Sequence, residues 1–150
     1  MTHKAKANIL VVEDSLAAAK RLQFSLERAG FYVDVARDGP EALEKARQAQ
    51  YDLVVTDEQM PGMTGRELCK HLRDDDRYAH TPLIFLTGKL YELDSNELKN
   101  VLHVSAAFPK PFTLDSLMRA IVAELAAARS SNDLNSDRAS RPDHVHAGTP

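Results

Sequence analysis

Apolar and polar positions follow two rhythms along residues 1–128. Short runs rich in aliphatic and β-branched side chains occur at Asn8–Val12, Tyr32–Ala36, Asp52–Thr56, Pro82–Leu86 and Val104–Phe108, each with the length and composition of a strand. Between them the apolar positions recur at helical spacing. Leu16, Ala19, Leu22, Leu26 and Ala29 form one stripe, closed by Gly30 as a helix stop. Pro40 suits the first turn of a second helix, with Ala42, Leu43 and Ala46 on its inner face. Thr64 and Glu67 read as a capping box ahead of Leu68 and Leu72. Leu93, Val101 and Leu102 mark a weaker fourth helix. Thr113 caps a fifth, with Leu114, Leu117, Met118, Ile121, Val122 and Leu125 turned inward.

Strands and helices that alternate in this way predict a doubly wound (βα)5 fold of the α/β class. Its central five-stranded parallel sheet would be the middle of three layers, because each parallel connection needs a crossover. The runs Ile9-Leu10-Val11-Val12 and Leu83-Ile84-Phe85-Leu86 lack polar alternation, as strands covered on both faces should. Open sheets of this kind bind ligands just beyond the carboxyl ends of their strands.

The polar residues at those ends are chemically distinctive. The first strand stops at Glu13-Asp14, the third at Asp57, the fourth at Thr87-Gly88, and the fifth leads into Lys110-Pro111. Each taken alone has an ordinary reading as a turn former, a cap or a surface lysine; their joint placement after four apolar strands is what singles them out. A like-charged pair at about 4 Å costs on the order of 4 kcal/mol at an effective dielectric of about 20. Three carboxylates against one lysine leave a surplus of negative charge that a divalent cation would neutralise. Hard oxygen ligands suit Mg²⁺ (or Mn²⁺), which accepts phosphate oxygens at its open positions. Asp57 could then be a nucleophile forming an aspartyl phosphate, with Lys110 stabilising the transferring group and Thr87 bonding it afterwards.

On these residues the chain resembles the receiver domain of bacterial two-component response regulators, over about residues 7–128. Glu13-Asp14, Asp57 with Met60-Pro61 and Gly65, Thr87-Gly88 placed 30 residues after Asp57, and Lys110-Pro111-Phe112 carry the resemblance. It implies a flavodoxin-like sandwich in which Asp57 is the phosphoacceptor. Glu13, Asp14, Asp57 and the backbone carbonyl of Gln59 would hold Mg²⁺. Lys110 would contact the phosphoryl group, and Thr87 would be the switch hydroxyl. Gln59 and Lys89 stand where the family tunes loss of the phosphoryl group. The donor would be a sensor histidine kinase or a His-phosphotransfer protein, and the output a protein-binding surface for a downstream protein, from a monomer or a weak phosphorylation-dependent dimer. Two positions depart from the family pattern. Ala107 stands where the switch aromatic normally lies, three residues before the lysine, and period-2 alternation turns Phe108 to the other face of the strand. Leu102-His103-Val104 lacks the glycine that commonly ends the fourth helix in the family.

Composition narrows the alternatives. No apolar run exceeds four residues, so no membrane-spanning segment is present, since one needs about 20. The single cysteine, Cys69, excludes an internal disulfide and multi-cysteine metal sites, and cytoplasmic localisation is the expectation. With 19 Lys and Arg against 22 Asp and Glu, the net charge of −3 supplies no basic surplus for direct contact with nucleic acid. A phosphatase of the haloacid-dehalogenase type needs a second aspartate two residues after its nucleophile, where this chain has Gln59. No G-x-G-x-x-G follows a strand, which argues against dinucleotide binding. A phosphate sink and a phosphorylation-independent scaffold remain as alternatives to a switched signalling module.

Cys69, Met60 and Met63 read as packing residues, Asp74-Asp75-Asp76 as a helix-ending loop, and Arg66, Lys70 and Arg73 as a solvated helix face. Residues 129–150 hold four apolar side chains in 22 and read as a disordered polar tail, with His144 and His146 solvated within it. The division expected is a receiver over 1–128 and a tail over 129–150, with no room for a folded output domain.

Overall fold

A computed structural model describes residues 6–89 and 92–140, with side chains as far as residue 130. The strands are β1 (Asn8–Val12), β2 (Tyr32–Ala36), β3 (Leu53–Asp57), β4 (Leu83–Thr87) and β5 (Ala106–Pro109). All pair in parallel, in the order β2-β1-β3-β4-β5. The helices are α1 (Leu16–Arg28), α2 (Gly39–Gln48), α3 (Gly65–Arg73) and α4 (Leu114–Ser140), with a short 3₁₀ turn at Asp76–Tyr78. The fourth predicted helix is largely a π-helical turn, Glu97–Val101. This is the doubly wound α/β sandwich that the sequence predicts.

Two apolar cores lie on opposite faces of the sheet. On one, Leu10, Val12, Val54 and Phe85 pack against α2, α3 and the π turn; on the other, Ile9, Val11, Val55 and Ile84 pack against α1 and α4. Every residue of β3 and β4 is buried, which explains their unbroken apolar runs.

The helix starts follow local chemistry. The Ser15 and Asp38 side chains accept from the Ala18 and Glu41 amides, and Thr64 and Glu67 complete the reciprocal box at α3. Thr113 accepts from the Ser116 amide at the start of α4.

Several of the apolar positions that mark the predicted helices are not in the core. Leu16, Val101 and Val122 are exposed, as is Ala29. Leu16 is the first residue of α1, and Ala29 is its C-cap, so both sit at the helix ends. At Val101 the cause is the wider π winding. It turns Leu98 and Leu102 to the core and Val101 outward. Helix α4 also runs past the change in composition at residue 129, as far as Ser140. The segment 130–140 contains neither Pro nor Gly, so nothing in it breaks a helix already nucleated by its buried first turns. His144 and His146 lie outside the described residues.

The end of the π turn has its own stop. His103 adopts φ 53°, the left-handed conformation for which glycine is usual, and the Val104 amide closes back onto the Leu98 carbonyl at 2.7 Å. His103→Gly is therefore expected to stabilise the fold by about 0.5–1 kcal/mol, read as a rise in the urea midpoint at unchanged slope. The His103 contact to Arg73 uses its backbone carbonyl, which glycine retains.

Arg73 is not part of a solvated face. Its Nε and Nη atoms donate to the carbonyls of Leu102, Tyr78, Thr81 and His103 at 2.7–2.8 Å, tying α3 to the 3₁₀ turn and to the end of the π turn. Cys69 is buried and its thiol is held above its usual pKa by that burial, as a packing role requires.

Candidate functional site

The sheet changes winding direction between β1 and β3, the neighbours from which the chain departs to opposite sides. A crevice for ligands opens there, beyond the strand ends. Val12 pairs with Thr56, so Glu13 and Asp57 follow one step further on the two adjacent strands. Leu86 pairs with Asp57, and Pro109 with Thr87, which brings Thr87 and Lys110 to the same edge.

Glu13, Asp14 and Asp57 can each offer a carboxylate oxygen within 4.8 Å of the others, with Asp14 exposed and the other two buried. Lys110 Nζ reaches Asp57 Oδ2 at 3.0 Å and Glu13 Oε2 at 3.4 Å. The Gln59 amide donates to Asp57 Oδ1 at 3.3 Å, and the Ser15 amide to Glu13 Oε1 at 3.1 Å. Burial pushes the Glu13 carboxyl above the ordinary range; the Ser15 amide and the Lys110 charge counter this, while the Asp57 charge adds to it. At Lys110, burial works to lower the pKa, but the hydrogen bond and charge of Asp57, together with Glu13, hold it above the ordinary value. It stays a cation at neutral pH. One ammonium faces three carboxylates, and hard oxygen donors with a residual negative charge fit a divalent cation.

The β3–α3 loop is held against this site by close backbone contact. The Gly65 amide donates to the Glu58 carbonyl at 2.9 Å, and a Cβ at Gly65 would lie 2.5 Å from the Asp57 carbonyl oxygen. No larger residue fits there without moving the backbone of Asp57 itself. A cleft of about 320 Å³ between α1 and the start of α4, lined by Leu22, Phe112 and Leu114, opens beside Glu13 and Lys110. A larger one lies among the amino ends of the strands, near Ala7, Asp52, Pro82 and Ser105, and includes none of the strand-end carboxylates.

The remaining predicted residues fall into distinct places. Thr87 is fully buried, and its Oγ accepts from the Lys89 amide at 3.1 Å. Gln59 and Lys89 are exposed. Ala107 packs against the α2–α3 core while Phe108 packs against the α1–α4 core, so the aromatic side chain does face away from the expected switch position.

Sequence reasoning missed one buried charge next to Asp57. Glu58 is 5% exposed. Its carboxylate accepts from the Arg66 amide at 2.9 Å and from Arg66 Nε at 3.0 Å. Arg66 is thus a partner of a buried carboxylate rather than a solvated residue. The signal was an acidic residue continuing directly from an apolar strand, with an arginine at the start of the next helix.

The model of the response regulator receiver domain matches residues 9–122. The chain belongs to that family. The Bacillus subtilis alkaline phosphatase synthesis transcriptional regulatory protein PhoP is 36% identical over 132 residues, covering 86% of this chain and 54% of the relative. The sensory transduction protein RegX3 of Mycolicibacterium smegmatis is 32% identical, covering 87% and 55%. The chain therefore spans about half the length of these relatives. Among solved structures, the Vibrio cholerae chemotaxis protein CheY4 superposes with a TM-score of 0.72 at 32% identity, over 80% of this chain and 99% of that one. The Thermotoga maritima response regulator TrrA, solved in complex with Mg²⁺ and BeF, gives 0.65 at 30% identity over 79% and 98%. This receiver domain is accordingly a phosphoacceptor module of two-component signal transduction. No helix among its described residues is long and apolar enough to cross a membrane.

Proposed function

We propose that Asp57 is the phosphoacceptor. The observation that carries this reading is its position: buried at the end of a central strand, 3.0 Å from the Lys110 ammonium and within a cluster of three carboxylates. Glu13, Asp14, Asp57 and the Gln59 carbonyl would hold Mg²⁺, which when bound supplies positive charge to the transferring group. An Asp57 carboxylate oxygen attacks phosphorus. The bond from phosphorus to the donor's histidine nitrogen breaks, and that nitrogen keeps the electron pair and takes up a proton. Lys110 donates to the phosphoryl oxygens as their charge develops, and Thr87 supplies a hydroxyl once the group is in place. The donor is a histidine kinase or a His-phosphotransfer protein. The module works in the cytoplasm, takes part in its own phosphorylation and dephosphorylation, and delivers its signal through a downstream protein.

Acetyl phosphate tests this without a cognate kinase. With Mg²⁺ the protein is expected to gain one phosphoryl group, removable by hydroxylamine and mapping to Asp57. A label that forms equally without a divalent cation, or that maps to a histidine or serine, would overturn the assignment.

One observation favours a second reading, a scaffold whose partner affinity ignores phosphorylation: the switch position holds Ala107, and Phe108 lies on the other face. Equal partner affinity with and without beryllofluoride would select it.

A further inference from the structure

Two arginines seven residues apart on α3, and therefore on one face of that helix, reach the same neighbouring segment at its two ends. Arg73 bonds the Leu102 and His103 carbonyls just after the π turn. Arg66 stands 4.0 Å from Glu97, the first residue of that turn. The two attachments differ in kind. Arg73 spends its donors on four backbone carbonyls, which would lose their partners if it moved, so it acts as a fixed pivot. The Arg66–Glu97 pair is long and partly exposed, which makes it weak. Arg66 holds its other carboxylate, Glu58, much more closely, at 3.0 Å.

We propose that Glu58, Arg66 and Glu97 form an ionic latch between the acceptor site and the π turn, with Glu58 and Arg66 as positioning residues for the acceptor loop. The proposal rests on Asp57 being the phosphoacceptor. Arg66 is shared between a carboxylate adjacent in sequence to Asp57 and one on the π turn. Glu58 follows Asp57 directly in the chain, so a phosphoryl group on Asp57 adds negative charge one residue from the carboxylate that holds Arg66. The guanidinium is drawn toward the site, and its weaker contact, to Glu97, is released. The freed end of the π turn then moves about the Arg73 pivot. Ala107 packs into this same face of the sheet, so the latch couples site and surface where the switch position itself holds no aromatic side chain.

Linkage gives the test, because a contact released on phosphoryl binding must oppose that binding by the same factor. Beryllofluoride is titrated at saturating Mg²⁺ and followed by backbone amide NMR, which reads both its affinity and the displacement of residues 97–103. Glu97→Gln removes the outer partner and is expected to tighten beryllofluoride binding about twofold to fivefold, the range of a partly exposed ion pair. Glu58→Gln still accepts from the Arg66 amide but removes the inner charge, leaving Arg66 to Glu97. It is expected to weaken binding by a similar factor or more. Effects of opposite sign separate a latch from structural damage, which weakens both. If both variants weaken binding, or if Glu97→Gln matches wild type in affinity and in the shifts of residues 97–103, the latch is overturned. A wild-type protein that does not bind the mimic overturns the Asp57 reading and the latch together.

Discussion

Asp57→Asn is expected to show no phosphoryl label above background after incubation with acetyl phosphate and Mg²⁺, while remaining folded. The amide that replaces the carboxylate lacks the nucleophilic oxygen, so the loss is complete rather than graded. Folding is spared for a structural reason. The Gln59 amide donates to Asp57 Oδ1, an acceptor that asparagine keeps, and Lys110 retains Glu13 as an ionic partner at 3.4 Å. Thermal denaturation within about 1 kcal/mol of wild type, alongside the missing label, would assign the loss to chemistry. A variant that still carried hydroxylamine-sensitive label would remove Asp57 from its role.

Lys110→Met is the second large effect and should strike both reaction and fold. Removing one preorganised donor to a developing oxyanion costs on the order of 10²–10³ in rate, so the initial labelling rate should fall by about that factor. The same substitution leaves the buried Glu13 and Asp57 carboxylates without their shared cation. Breaking a fully buried pair costs about 3–5 kcal/mol. The Lys110 side chain is 35% exposed, so a smaller loss, about 1–2 kcal/mol, is expected once solvent screening is allowed for. That loss should shrink when Mg²⁺ is added, because the cation replaces the missing charge. Melts with and without Mg²⁺ read this directly. A variant that labels at the wild-type rate would sink the role of Lys110.

The latch and the proposed acceptor site share a loop. The hydrogen bond from the Gly65 amide to the Glu58 carbonyl and the two hydrogen bonds from Arg66 to the Glu58 carboxylate both hold residues 58–65. That loop carries the Gln59 carbonyl proposed as a metal ligand. A structural clasp and a charge-sensitive link can thus reside in the same few residues, which is why variants of opposite expected sign are needed to separate them.

Much of this was legible from residues alone. Strand positions could be read because a parallel sheet covered on both faces requires uninterrupted apolar runs, and the first polar residue after each run then marks the binding edge. This is how Glu13, Asp14, Asp57, Thr87 and Lys110 stood out. The capping box at Thr64–Glu67 is equally local and was equally readable.

Other features depend on contacts that no local pattern encodes. Glu58 reads as part of a polar loop until its carboxylate is seen buried under Arg66. Arg73 reads as a solvated residue until four carbonyls converge on it from three segments. Leu98 faces the core and Val101 faces outward because the fourth helical segment winds as a π turn, with a period the apolar pattern did not announce. Lys110 and Glu13, 97 residues apart, become partners only when β1 and β5 are ordered in one sheet. The sequence by itself therefore determined the architecture and the chemical inventory at the sheet edge, since burial on two faces constrains composition along each strand. Tertiary structure alone decided which charges share a partner and which segment they hold, because electrostatic pairing depends on distance in space and on solvent exclusion, neither of which is a property of neighbouring residues in the chain.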